Sequence, residues 1–111
     1  MKYKKVILID LDGVLNNYNG KFDANFIPPI RIGAKEFLEE ISIKYNVVLF
    51  TTRNKELAEQ WLKESQIDDL ISHVTNYKEA SYLIIDDRCI TFTGNYVDIL
   101  DKLDNFKPWY K

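Results

Sequence analysis

Apolar positions in this chain gather into four short runs separated by longer amphipathic stretches. Val6, Ile7, Leu8 and Ile9 make the first run, and Val47, Val48, Leu49 and Phe50 the second. Leu70, Ile71 and Val74 make a weaker third, and Leu83, Ile84 and Ile85 the fourth. In the stronger runs the apolar residues are adjacent rather than alternate, the pattern of parallel-sheet strands covered on both faces. Between the runs the spacing becomes helical. Ala34, Phe37, Leu38 and Ile41 predict a helix over residues 34–45, approached by Pro28, Pro29 and Gly33. Leu57, Ala58, Trp61 and Leu62 predict a second over residues 54–65, with Asn54 placed to cap it. Val97, Leu100, Leu103 and Phe106 predict a third, stopped by Pro108.

The order strand–helix–strand–helix–strand–strand–helix indicates an α/β fold: one Rossmann-like, three-layer domain over residues 1–111 with a mostly parallel central sheet. Residues 16–29 break the pattern. Asn16, Asn17, Asn19 and Gly20 are turn formers, and Tyr18, Phe22 and Phe26 lie among them. This segment is expected to be a turn with a small hairpin or flap, its aromatics packing the flap. Trp61 belongs to the core stripe, and Trp109 and Tyr110 are expected to pack the tail.

Composition narrows the class. The chain has 111 residues, 46% hydrophobic and 29% charged, enough for one ordinary core without disulfides. Its formal net charge of −2 gives no global basic field for nucleic acid. Cys89 is the sole cysteine, which excludes an intramolecular disulfide and suits a reducing compartment. Cys89 itself is expected to be a small packing residue, and His73 structural or exposed. Lys2, Lys4 and Lys5 precede an apolar stretch, but Asp10 and Asp12 interrupt it too early for a signal peptide. No stretch approaches a membrane span, so a cytoplasmic protein with no membrane association is expected.

Chemistry concentrates where the runs end. The first ends in Asp10 and Asp12, the second in Thr51, Thr52 and Arg53, and the fourth in Asp86, Asp87 and Arg88. Ligands of open parallel α/β sheets bind outside the carboxyl ends of the strands, so these groups converge on one crevice. Lys78 lies shortly before the fourth run and is within reach from its loop. Several carboxylates together need a cation, and an all-oxygen set favours a hard ion such as Mg²⁺. Hydroxyl and cationic groups suit phosphate oxygens. One carboxylate can attack phosphorus while a second, two residues on, moves the proton. Arg53 and Arg88 flank this crevice, each suited either to bind substrate or to pair with an acid.

"DLDGVLN" resembles the first motif of the haloacid dehalogenase-like (HAD) phosphohydrolases, "VVLFT" the second, and "LIIDDR" the fourth, with Lys78 where the third places its lysine. "TNYKEASYLIIDDRCITFTG" further resembles a group of small capless members, except that Glu79 stands where proline is usual. The resemblance implies an α/β domain with a short flap and no cap domain, acting as a Mg²⁺-dependent phosphatase through an aspartyl-phosphate. It implies Asp10 as nucleophile and metal ligand. Asp12 would be general acid/base and metal ligand through its carbonyl, and Thr51 and Lys78 would act on the phosphoryl group. Asp86 would bind the metal with Asp87 beside it. Thr52, Arg53 and Arg88, at the rim of the crevice, are the candidate substrate contacts. The acid at Asp12 favours phosphate-ester hydrolysis over dehalogenation.

Two other functions are consistent with the same residue types: a phosphorylated receiver-like switch, and a non-catalytic phosphate-binding protein. The late position of the acid pair opposes the first, and the intact acid set opposes the second. The substrate is expected to be phosphorylated, with nucleic acid entering only as substrate through a nucleotide or polynucleotide phosphate. The sequence leaves the oligomeric state open.

Overall fold

The computed structural model describes residues 4–110. Lys2, part of the basic run considered above, lies outside them. The elements follow in the expected order. They are β1 (Lys5–Asp10), α1 (Ala34–Ile41), β2 (Tyr45–Phe50), α2 (Lys55–Glu64), β3 (His73–Thr75), β4 (Leu83–Ile85) and α3 (Tyr96–Asn105), with a 3₁₀ turn at Asp68–Leu70. The strands form one sheet in the order β3-β2-β1-β4, each neighbouring pair parallel. Strand β1 is therefore central, and all four carboxyl ends face one way.

The two central strands are buried as their adjacent apolar residues require. Leu8, Ile9 and Leu49 have no exposed surface, and Val47 and Val48 almost none. Ile9, Val47, Leu49 and Val74 share one core with Ala34 and Leu38 of α1 and Ala58, Trp61 and Leu62 of α2. Burial of each valine, leucine or isoleucine among them contributes about 1.5–3 kcal/mol relative to leaving it in water. Trp61 joins this core, and its indole Nε1 donates to the Pro28 carbonyl at 3.1 Å. Asn54 caps α2 by accepting from Leu57 N at 2.9 Å. Helix α3 carries Val97, Leu100 and Leu103 on the surface, and none of its residues is buried.

Some sequence expectations shift. Helix α1 ends at Ile41 rather than Tyr45, because Tyr45 opens β2 opposite Lys5 of β1. The third strand starts at His73, with Leu70 taken into the 3₁₀ turn. Of the hairpin or flap expected after Asn16, the structure shows the flap. Residues 17–29 form a flap closed at its base by one antiparallel bridge, Asn16 to Ile30. Of its aromatics only Tyr18 is buried; Phe22 and Phe26 expose more than half their surface. Cys89 is exposed rather than packed. No helix of the described residues is long and apolar enough to cross a membrane.

Candidate active site

Sheet register brings the site together. Ile9 pairs with Ile85, so Asp10 and Asp86 leave adjacent strands at the same level. Asp10 pairs with Phe50, which puts Thr51 one step beyond on the other side. Asp10, Asp12, Thr51, Thr52, Asp86, Asp87 and Arg88 line a single crevice of about 210 Å³, with Tyr18, Phe22 and Phe50 as its apolar wall. That volume accommodates a phosphoryl group.

Beyond Asp10 the chain makes one helical turn, with Leu15 N donating to the Leu11 carbonyl at 3.0 Å. Leu11 has no exposed surface and belongs to the core, while the acids on either side of it face the crevice. Gly13 takes φ +84°, a conformation that favours glycine, and a Cβ there would overlap the Asp87 carboxylate. Glycine thus lets the two acid motifs approach.

Carboxylate oxygens of Asp10, Asp86 and Asp87 lie within 4.8 Å of one another. Burial, and then the charges of Asp86 and Asp87, push the Asp10 carboxyl up from 3.8 to about 8. Burial also raises Asp87, whose Oδ2 is buried without a hydrogen-bond partner. The raised Asp10 carboxyl keeps its proton in the metal-free protein at neutral pH, which lessens the repulsion within the trio. Three hard oxygen donors, one of them a buried orphan, fit a Mg²⁺ ion in that place. Asp87 is a full member of the cluster and not only a support for Asp86. The Asp12 carboxylate is not among the cluster oxygens.

Asp12 is instead held from two directions. Its Oδ2 accepts from Arg53 Nε at 2.8 Å, and its Oδ1 from Asn16 Nδ2 at 3.0 Å. Of the two roles open to Arg53, contact with substrate or pairing with an acid, the structure shows the pairing. It is almost wholly buried, donates through Nη1 to the Asp23 carbonyl of the flap at 2.7 Å, and lies 4.6 Å from the Phe22 ring. Thr51 Oγ1 accepts from Arg53 N at 3.1 Å, which leaves its proton free to donate. Asn76 Nδ2 donates to the carbonyls of Thr51 and Arg53 at 2.7 and 2.9 Å and braces that turn.

The structure does not bring Lys78 into the crevice lining; it lies exposed in the β3–β4 loop. His73 is exposed and pairs with Glu79 at 2.8 Å. Two groups that sequence reasoning did not assign to the site reach it from the tail. Trp109 Nε1 donates to the Gly13 carbonyl at 2.7 Å. Tyr110 Oη accepts from Arg88 Nε at 3.1 Å and Nη2 at 2.9 Å, and its ring meets Tyr18 edge-on. That bond to Tyr110 is the main reason Arg88 holds its proton more tightly than usual. Asn16 was likewise missed. Its signal is the spacing: across one helical turn, Asn16 falls four residues after Asp12.

The profile of the NLI interacting factor-like phosphatase family matches residues 5–109. The chain belongs to this family. It is a HAD-like phosphatase, a phosphoric monoester hydrolase. No curated protein sequence matches the phosphatase. Among solved structures it is similar to a conserved protein of Bacteroides thetaiotaomicron, at 18% identity and a TM-score of 0.59, covering 96% of this chain and 95% of that one. At that identity the likeness shows the shared α/β fold. Neither the phosphatase loop after β2, only four residues long, nor the flap holds a cap domain.

Proposed function

We propose that this phosphatase hydrolyses a phosphate monoester with the help of Mg²⁺ and through an aspartyl-phosphate on Asp10. The observation that carries the reading is the junction of β1 and β4. There Asp10 shares a cluster with Asp86 and Asp87, while Asp12, two residues on, is held apart from it by Arg53 and Asn16. That separation divides the acids into a nucleophile with its metal ligands and a proton carrier.

When bound, Mg²⁺ would be held by Asp10, Asp86 and Asp87, would relieve their repulsion and would neutralise charge on the phosphoryl oxygens. Asp10 then ionises and attacks phosphorus. Thr51 donates a hydrogen bond from its hydroxyl to a phosphoryl oxygen, and Asp12 protonates the leaving oxygen. Water next gives a proton to Asp12 and displaces Asp10, releasing inorganic phosphate. Arg88, steadied by Tyr110, anchors the substrate at the rim. The scheme assigns no step to Lys78. Membership of a phosphatase family favours turnover over a receiver-like switch or a purely binding role.

The substrate proposed is a nucleotide or a polynucleotide end. The exposed ring of Phe22 at the crevice wall offers a surface for a base or sugar beside the phosphate. The test is hydrolysis of 4-nitrophenyl phosphate, nucleoside monophosphates and oligonucleotides with 3′- or 5′-phosphates. Mg²⁺-dependent turnover lost in Asp10→Asn supports the mechanism; turnover undiminished in Asp10→Asn contradicts it.

A further inference from the structure

Asn16 does not itself line the crevice, yet it is the most deeply buried polar side chain beside the site, with no exposed surface. A buried amide needs partners for its polar atoms. Its Oδ1 accepts from the backbone N–H groups of Gly13 and Tyr18, both at 3.1 Å. Those two donors decide which way the amide faces, because an NH₂ group in that place would meet N–H groups with nothing to accept it. The Nδ2 is therefore committed to Asp12, and donates to Oδ1 at 3.0 Å. With Arg53 Nε on Oδ2, both oxygens of Asp12 have fixed donors.

From this geometry we infer that Asn16 is a positioning residue for proton transfer by Asp12. The inference rests on the phosphatase mechanism above. In its first half, the bond from phosphorus to the leaving oxygen breaks as the Asp10–phosphorus bond forms, and the leaving oxygen takes the Asp12 proton. In its second half, the Asp10–phosphorus bond breaks as water oxygen bonds phosphorus, and a water proton returns to Asp12. Both transfers need the carboxyl in one orientation, and orientation is what the Asn16 amide supplies. Asn16 also opens the flap through its bridge to Ile30. The acid is thus aligned with the segment that bears Tyr18 and Phe22.

A purely structural asparagine would need only its two bonds to Gly13 and Tyr18. Asn16→Asp separates the roles, since it keeps the shape and the accepting oxygen but replaces the donor that faces Asp12. The readout is kcat/KM, which reports the half-reaction in which the leaving group departs, for two esters. Glycerol 2-phosphate releases an alkoxide that must be protonated; 4-nitrophenyl phosphate releases a stable phenolate that need not be. Asn16→Asp is expected to lower kcat/KM on the order of 10- to 100-fold for the alkyl ester and less than about 3-fold for the aryl ester. Asn16→Ser, with a shorter donor, should show the same selectivity with a smaller loss. Melting curves verify that each variant is folded, and Asn17→Ala, an exposed neighbour, serves as a control with neither effect. Equal losses on both esters in a folded variant overturn the inference and leave the phosphatase mechanism standing. Failure of the unmodified protein to turn over either ester with Mg²⁺ overturns both.

Discussion

Arg53 donates from Nε to Asp12 Oδ2 across 2.8 Å and so joins the end of β2 to the turn after β1. The two partners are unequally placed: the Arg53 side chain is 1% exposed and that of Asp12 19%. Arg53 Nη2 is also buried without a partner, so Asp12 is the only carboxylate in ion-pair reach of this guanidinium among the described residues.

Removing Asp12 therefore strands a buried cation. Asp12→Ala is expected to cost roughly 3–5 kcal/mol of stability in urea unfolding. Arg53→Met should cost less, because water can reach Asp12 and the new side chain fills the space of the arginine stem. Asp12→Ala should also lower kcat/KM about 10²- to 10⁴-fold for an alkyl phosphate. Equal stability losses for the two variants would count against the buried pair.

Asp10→Asn should change stability in the opposite direction. In the folded, metal-free protein the Asp10 carboxyl titrates at about 8, against an ordinary 3.8. Between those values the folded state holds a proton that the unfolded chain has released, so stability falls as pH rises through that interval and is lowest above it. Asparagine cannot ionise. Melting in EDTA should show the variant close to the unmodified protein near pH 4 and clearly more stable at pH 8.5. Mg²⁺ at pH 8.5 should restore the unmodified protein far more than the variant. A variant that melts no higher at pH 8.5 would contradict the charge clustering.

Glycine at position 13 can be tested against a matched control. Gly13 and Gly94 have similar positive φ, +84° and +91°, but a Cβ at Gly94 meets open space. Alanine at either should cost about 1–3 kcal/mol for the backbone alone. Only Gly13→Ala should also weaken Mg²⁺ binding, measured by calorimetry, because the methyl group displaces Asp87. Equal Mg²⁺ affinity in the two variants would remove Asp87 from the cation site.

Tyr110→Phe keeps the ring that meets Tyr18 and removes the oxygen that accepts from Arg88. KM for an aryl phosphate should rise about 3- to 10-fold with kcat little changed. Adding Arg88→Ala to Tyr110→Phe should raise KM no further than Arg88→Ala alone. Additive effects would mean that the tail acts on the site by another route.

Residues 6–9 and 47–50 were legible in the sequence because the central strands, buried on both faces, leave no polar position to confuse the period; residues 83–85 were legible as an unbroken apolar run, although β4 lies at the sheet edge and none of its residues is fully buried. Asp10, Thr51 and Asp86 were legible as a group because strand ends in a parallel sheet share one rim. Partner choice was less legible. Arg53 suited an acid and a phosphate equally, and only the fold puts Asp12 2.8 Å away. Asn16 read as a turn former because its three hydrogen bonds exist only once residues 11–16 make a helical turn. Trp109 and Tyr110 are nearly a hundred residues from Gly13, and no local pattern links them. The boundary of α1 was misplaced because Tyr45 fits a helical stripe as well as a strand, and pairing with Lys5 decides between them.

The central claim is a covalent phosphoryl group on Asp10. Its most direct test is to trap the acyl phosphate with hydroxylamine during turnover of 4-nitrophenyl phosphate and to map the modified peptide by mass spectrometry. A hydroxamate at Asp10 that requires both substrate and Mg²⁺, and is missing in Asp10→Asn, is the expected result. A hydroxamate at Asp86 or Asp87, or none while turnover continues, would contradict it.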